Sequence, residues 1–482
     1  PEETLDQDEL AARAATRTQR PTSKAFLDFV TSGWAPRMDP QPRQADVAPY
    51  AAKRRARVAE LFPGECLVFP AGTLRIRSND TTYRFRPHSA FAYLTGLGTD
   101  EEPNAVLVLH PDGDTHKAVL YFRPDAGRDT EEFFADSTYG EFWVGPRPTL
   151  TDLAVRLDLH TAHIDELRDA LSKDTHTHAD AVRLRVISGV DTAVDALVDE
   201  ILAESGTARD PAADAQLLEA IAELRLVKDE WEIGQMQVAA DATIGGFAAI
   251  VRALPDAVHH ARGERVIEAA FDAHARKEGN AVGYDTIAAA GNNATILHWT
   301  RNDGPVRPGE LVLIDAGVEI DSLYTADITR TLPVDGVFTD IQRKIYNAVL
   351  DAADAAFAVV RPGTPFRAMH DAAMEVLAHR LAEWGLLPVT AQEALAESGG
   401  QHRRWMVHGT GHHLGLDVHD CAQARSELYL DGVLEPGMIF TIEPGLYFKA
   451  DDELVPAEYR GIGIRLEDNV LVTADGGKHL TG

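Results

Sequence analysis

Cysteine is almost absent: Cys66 and Cys421 are the only two in 482 residues, too few for a disulfide framework. Basic charge is also short, with 46 Lys and Arg against 76 Asp and Glu and a net charge of −30. Such a field repels phosphate backbones and anionic lipid, so neither nucleic acid nor a membrane is expected as a partner. Uninterrupted apolar runs such as Leu311–Ile314 are strand-sized, far below the roughly 20 residues of a bilayer span. The first residues are acidic and lack the basic-then-apolar order of a signal peptide, so a cytoplasmic location is expected. A Gly-x-Ser-x-Gly elbow and a Walker loop are missing, and Gly409-x-Gly411-x-x-x-Gly415 misses the dinucleotide spacing. Cys421 has no basic neighbours to activate it and reads as a small buried residue.

What is present is globular: 45% hydrophobic and 25% charged residues, long enough for two or three domains. Residues 1–47 are rich in Ala, Arg, Thr, Gln and Pro and read as an extended or partly helical arm, ordered against another subunit. Buried strands are expected at Cys66–Phe69, Ala105–Leu109 and Lys117–Phe122, and helices over Asp180–Leu202 and Ala213–Val227. This pattern predicts an α/β domain over residues 48–222.

The remainder, residues 223–482, carries an internal repeat. Helices expected at Trp231–Leu254 and Gly263–Lys277 end at Gly279, and a second pair at Ile341–Val360 and Phe366–Trp384 ends at Gly385. Pro308-Gly309-Glu310-Leu311-Val312-Leu313-Ile314-Asp315-Ala316-Gly317 and Pro436-Gly437-Met438-Ile439-Phe440-Thr441-Ile442-Glu443-Pro444-Gly445 share a register at a constant offset of 128 residues. In each, a turn feeds an apolar strand that ends in a carboxylate followed by glycine. Duplication accounts for this better than chance, and a pseudo-twofold fold would bring Asp315 and Glu443 face to face.

Burying either acid unpaired would cost several kcal/mol. Asp327, in Ala326-Asp327-Ile328-Thr329-Arg330-Thr331, and Glu467, in Ile462-Gly463-Ile464-Arg465-Leu466-Glu467-Asp468, add two more acids in apolar company. Four buried carboxylates raise one another's pKa unless cations neutralise them. Arg330 and Arg465 could pair with two, which leaves two, so divalent metal is the preferred reading. His408, His412 and His419 fall within twelve residues. His408 and His412 have helical i, i+4 spacing, but Gly409, Gly411 and Gly415 argue for a loop that permits close backbone approach. His298 holds the matching place in the first half, and His413 is expected to point away.

These motifs, with Thr441-Ile442-Glu443-Pro444-Gly445-Leu446-Tyr447, resemble the bacterial aminopeptidase P (Xaa-Pro aminopeptidase) family. Its relatives include prolidase and creatinase. Arg86-Pro87-His88-Ser89-Ala90-Phe91-Ala92-Tyr93-Leu94-Thr95-Gly96 is similar to its N-terminal domain, so the resemblance runs over roughly residues 48 to 482. It implies an α/β N-terminal domain of the creatinase/prolidase type, then an α+β pita-bread catalytic domain with a pseudo-twofold repeat. It also implies two divalent ions, Mn²⁺ before Zn²⁺ or Co²⁺, on Asp315, Asp327, His412, Glu443 and Glu467. Glu443 would shuttle the proton of the attacking water, His419 would stabilise the oxyanion and His298 would lie near the leaving nitrogen. His408, Tyr447 and Arg465 would line the pocket beyond the scissile bond. The substrates implied are peptides with proline in second position, and the assembly a homodimer or homotetramer.

Two departures stand out. Ala92-Tyr93 replaces the family's usual aromatic pair, and Asp327 follows Asp315 by 12 residues, one more than is common, which predicts a bulge in that hairpin. The rival readings are a prolidase restricted to dipeptides and a pita-bread module that binds without catalysis.

Overall fold

A computed structural model describes residues 23–35, 41–79, 81–176 and 182–481. The chain divides into two compact units, Pro1–Leu218 and Glu219–Gly482, and the division falls inside the helix Pro211–Arg225.

In the first unit, five strands form one sheet in the order His160–His163, Thr115–Phe122, Val106–Asp112, Cys66–Pro70 and Leu184–Val186. The inner pairings are antiparallel and the two outermost are parallel. Val68, Val106, Val108 and Val186 turn one face of the sheet onto Leu167, Leu171, Val198 and Ile201 of covering helices, the alternation a half-buried strand requires. The expected helix over Asp180–Leu202 is replaced by the buried strand Leu184–Val186 and a helix starting at Thr192, where Asp191 caps the amides of Ala193 and Val194. The arm is partly helical, as expected, at Lys24–Val30, but Phe26 and Trp34 pack edge-on against Phe134 and Phe133 of the same chain. Residues 1–22 and 36–40 of the arm lie outside the described residues. Ala92 and Tyr93 are buried in the helix Ser89–Thr95 of this unit.

In the second unit, the helices Glu230–His259 and Gly263–Glu278 pack together, as do Asp340–Ala358 and Ala368–Glu383. Asp229 with Glu232, and Thr339 with Gln342, form reciprocal caps that fix where the first helix of each pair begins. By length and composition alone Glu230–His259 matches a bilayer span, which a search for uninterrupted apolar runs does not reveal. Here its buried Glu232 accepts from the Tyr324 hydroxyl at 2.8 Å.

The duplication appears as two hairpins. Leu311–Ala316 pairs antiparallel with Ile328–Pro333, and Ile439–Ile442 pairs antiparallel with Asp468–Thr473. Each first strand runs out at one acid, Asp315 or Glu443, and each second strand starts beside another, Asp327 or Glu467. The halves meet in a bridge between Thr329 and Glu467. The expected bulge is absent, because the register from Leu311↔Pro333 to Ala316↔Ile328 is unbroken. In the connection between the two strands, Val318–Glu319 leaves to pair with Ala281–Val282, and Leu323 turns the chain at a φ of 73°.

Candidate metal centre

Both hairpins deliver their carboxylates to one cavity of about 510 Å³. It is lined by Asp315, Asp327, His412, Glu443 and Glu467 together with His298, His408, His419 and Arg465. Tyr447 lines a neighbouring cavity of about 370 Å³ that shares Leu297, and reaches the first through hydrogen bonds to His408 and Arg465. A larger cavity, about 870 Å³, belongs to the first unit, and arginines already pair its Asp100, Glu101 and Glu102.

The histidine segment forms a loop, and Gly411 explains why it must. A side chain there would overlap the Thr441 carbonyl, against which the loop lies. His412 accepts a bond from Thr441 N at its own carbonyl (2.9 Å), and Glu443 N donates to Thr410 O (2.7 Å). Gly317 plays the same part in the other half, where a side chain would meet the Ala326 carbonyl.

Asp315 Oδ2 accepts from Arg465 Nη2 at 2.5 Å, and its Oδ1 lies 2.7 Å from the Tyr284 hydroxyl. The same hydroxyl lies 2.5 Å from Asp327 Oδ1. Asp327 Oδ2 faces His412 Nε2 at 3.4 Å, and Glu443 Oε1 lies 3.6 Å from that nitrogen. His412 Nδ1 donates to the His413 carbonyl at 3.0 Å, which aims Nε2 at the acids. Glu467 Oε2 accepts from Thr329 Oγ1 at 2.6 Å, while its Oε1 is buried without a partner among the described residues. Of the two arginines weighed as partners, Arg465 takes Asp315, whereas Arg330 pairs with Asp468 and the Glu467 carbonyl.

The electrostatics follow from burying four acids beside two cations. Burial and the neighbouring carboxylates push Glu467 well up, and burial pushes Glu443 up to about 7 against the pull of His412. Burial also outweighs Arg465 at Asp315, which is held up. At Asp327 burial is overcome by the His412 hydrogen bond and charge, and its carboxyl is held down. The reciprocal effect raises His412 to about 9 despite its own burial. His408 is lowered to about 4 by burial and by Arg465, so it is neutral near pH 7. The donor set fits hard cations. Asp327, His412 and Glu467 each offer an atom within 4.8 Å of the others, and the orphaned Glu467 oxygen points to a missing positive partner.

Sequence reasoning missed Tyr284 and Thr329, which hold ligand candidates through single hydroxyls. Gly283 before Tyr284 was the available signal, since a side chain there would strike Thr325. The buried Asp420 was missed too. Arg225 and Lys228 both donate to it, as does the Cys421 thiol at 3.1 Å, and this knot anchors the loop that carries His419. His419 stands edge-to-face with His412, ring centres 4.5 Å apart. His413 points away from the centre and stacks on Phe366.

A duplicated fold that closes four carboxylates and an imidazole around one cavity defines a metallopeptidase. The model of metallopeptidase family M24 matches residues 234–474, and that of the aminopeptidase P N-terminal domain matches residues 51–182. Xaa-Pro aminopeptidase 1 of Streptomyces coelicolor is 48% identical over 95% of this chain and 89% of its own length. Aminopeptidase P from Escherichia coli with the inhibitor Pro-Leu superposes with a TM-score of 0.76 at 30% identity, covering 91% of this chain and 96% of that one. The zinc-substituted E. coli enzyme in complex with product gives 0.77 at 31% identity, with the same coverage of both chains. The chain belongs to metallopeptidase family M24, and within it to the Xaa-Pro aminopeptidases with their pita-bread catalytic domain.

Proposed function

We propose that this protein removes the N-terminal residue from peptides with proline in second position, using two divalent cations held by Asp315, Asp327, His412, Glu443 and Glu467. The observation that carries the reading is the convergence of these five side chains on one cavity, with Glu467 Oε1 buried and unpartnered. Divalent ions, when bound, supply Lewis-acid polarisation of a carbonyl and a water of lowered pKa. The four-oxygen, one-imidazole donor set favours Mn²⁺, with Zn²⁺ or Co²⁺ as substitutes.

The chain's own residues do the rest. Glu443, which lines the cavity, takes the proton of the attacking water and returns it to the departing nitrogen. His419, lowered chiefly by its burial, donates to the developing oxyanion. His298, which lines the cavity, would lie near the leaving nitrogen. His408 donates from Nδ1 to the Gly409 carbonyl at 2.7 Å and accepts at Nε2 from Tyr447, whose oxygen in turn accepts from Arg465 at 3.1 Å. That chain of bonds makes a fixed wall for the proline ring. The bond to proline is a tertiary amide without an N–H, so shape replaces hydrogen bonding as the handle.

The test compares hydrolysis of Xaa-Pro-Xaa, Xaa-Pro and Xaa-Ala-Xaa peptides with each metal, alongside elemental analysis. Cleavage of the first, with two ions per chain lost when the acids of this centre are replaced, supports the reading. Cleavage of dipeptides alone makes the protein a prolidase, and full activity with one ion removes the dinuclear centre. The expected homodimer or homotetramer is checked by light scattering.

A further inference from the structure

The first unit holds a second group of metal-ligating side chains that the catalytic reading does not use. Cys66 opens the strand Cys66–Pro70, and His110 lies in Val106–Asp112. The register Leu67↔Leu109 makes them the next pair along the ladder, on the face that carries Val68 and Val108. Asp174 comes down from the helix Leu167–His176 that covers this face. One ligand atom from each of the three lies within 4.8 Å of the other two. His110 Nδ1 is 2.5 Å from Asp174 Oδ2, and its Nε2 is 2.9 Å from the Tyr121 hydroxyl. Cys66 is fully buried, while the side chains of His110 and Asp174 keep 12% and 17% exposure. The cluster is therefore closed toward the core and open on one side.

We propose that Cys66, His110 and Asp174 form a structural site for a zinc-type divalent cation, completed by a solvent ligand. A thiolate and an imidazole select a softer ion than the oxygen-rich catalytic centre does, so the two sites differ in class. Binding sends the thiol proton to solvent and leaves the imidazole proton on Nε2, where the Tyr121 oxygen accepts it and fixes the ring. Without a cation, burial and the Asp174 carboxylate, to which the thiol hydrogen-bonds, push the Cys66 thiol well up. The ion would tie the sheet to its covering helix, and its loss would loosen that helix rather than stop peptide hydrolysis.

Cobalt(II) separates this site from the catalytic one, because only a sulfur ligand gives a thiolate-to-cobalt charge-transfer band in the near ultraviolet. The full chain, stripped by chelation, is titrated with Co²⁺ and its absorption and bound metal are measured. The proposal expects the band in the wild type and after Cys421→Ser. It expects loss of the band and of one ion per chain after Cys66→Ser, with peptide hydrolysis kept. Asp174→Asn, at a partly exposed position, should weaken the band-forming affinity at least ~10-fold without altering the circular dichroism. A saturated wild type without the band, or a band that survives Cys66→Ser, overturns the proposal and leaves His110, Asp174 and Tyr121 as a hydrogen-bonded core network. A wild type with the band but without activity would instead count against the catalytic reading.

Discussion

Replacing Arg465 by lysine separates the hold on a metal ligand from the shaping of the substrate pocket. The guanidinium is 4% exposed and spends its donors on three partners. These are Asp315 Oδ2 at 2.5 Å, Tyr447 Oη at 3.1 Å and Thr329 Oγ1 at 3.1 Å. An ammonium group in the same channel satisfies Asp315 and gives up the other two. Each lost bond from a charged donor is worth ~1.5–3 kcal/mol in a buried setting. Only the share realised in the transition state reaches kcat/KM, so the expected loss is ~10–100-fold, equivalent to ~1.4–2.7 kcal/mol. Thr329 also donates to Glu467 and Tyr447 to His408, so both ligand and pocket loosen together. The assay pairs steady-state kinetics on an Xaa-Pro-Xaa tripeptide with Mn²⁺ titration of the same stripped preparation. Kinetics and metal affinity both within twofold of wild type would refute the reasoning. A loss confined to metal affinity would reduce Arg465 to a clamp on Asp315.

Tyr284→Phe removes the hydroxyl shared by Asp315 and Asp327 and should weaken metal binding ~10–100-fold, read by competition with a chelating dye; unchanged affinity would take Tyr284 out of the centre. Chelation should lower the melting temperature and Mn²⁺ restore it, with ~2.7 kcal/mol regained when free metal exceeds its Kd a hundredfold; superimposable melting curves would mean that the acids are balanced within the protein. His413 is buried against Phe366 and Tyr429 with both ring nitrogens unpartnered among the described residues, and burial lowers it to about 3. The unfolded chain binds its proton near pH 6.5 and the folded chain does not until about pH 3, so this residue costs stability as pH falls through that window. His413→Phe should therefore gain ~1.4 kcal/mol relative to wild type for each pH unit below about 6.5, measured by urea unfolding at pH 7.5 and 5.5; an equal difference at both values would show that the ring titrates normally.

The carboxylates were legible because their predicament is local. An acid that closes an apolar run, as Asp315 and Glu443 do, has no inexpensive solution within its own strand, and the shared register announced two such strands at once. The glycines around the histidines were legible for the same reason, and Gly411 indeed passes against the Thr441 carbonyl. Tyr284 was not legible, because its hydroxyl matters only once two strands distant in sequence have been brought beside it. The strand Leu184–Val186 was hidden by its neighbours. Val194, Val198 and Ile201 carry a true helical period, and a window that includes them extends that period backward across alternating apolar residues. The bulge expected between Asp315 and Asp327 failed because spacing alone does not say whether an extra residue enters the ladder or the turn. Here the ladder is unbroken, and the connection between its strands carries Leu323 in the left-handed region.

The bridge between Thr329 and Glu467 joins residues 138 positions apart. Contacts of such separation bear the entropy of closing a long loop. Neither hairpin alone presents more than half of the acids, so a nascent or partly folded chain has no centre to fill. Competence to cleave peptides therefore belongs to the joined halves, and damage that parts them removes the centre even where each hairpin stays intact.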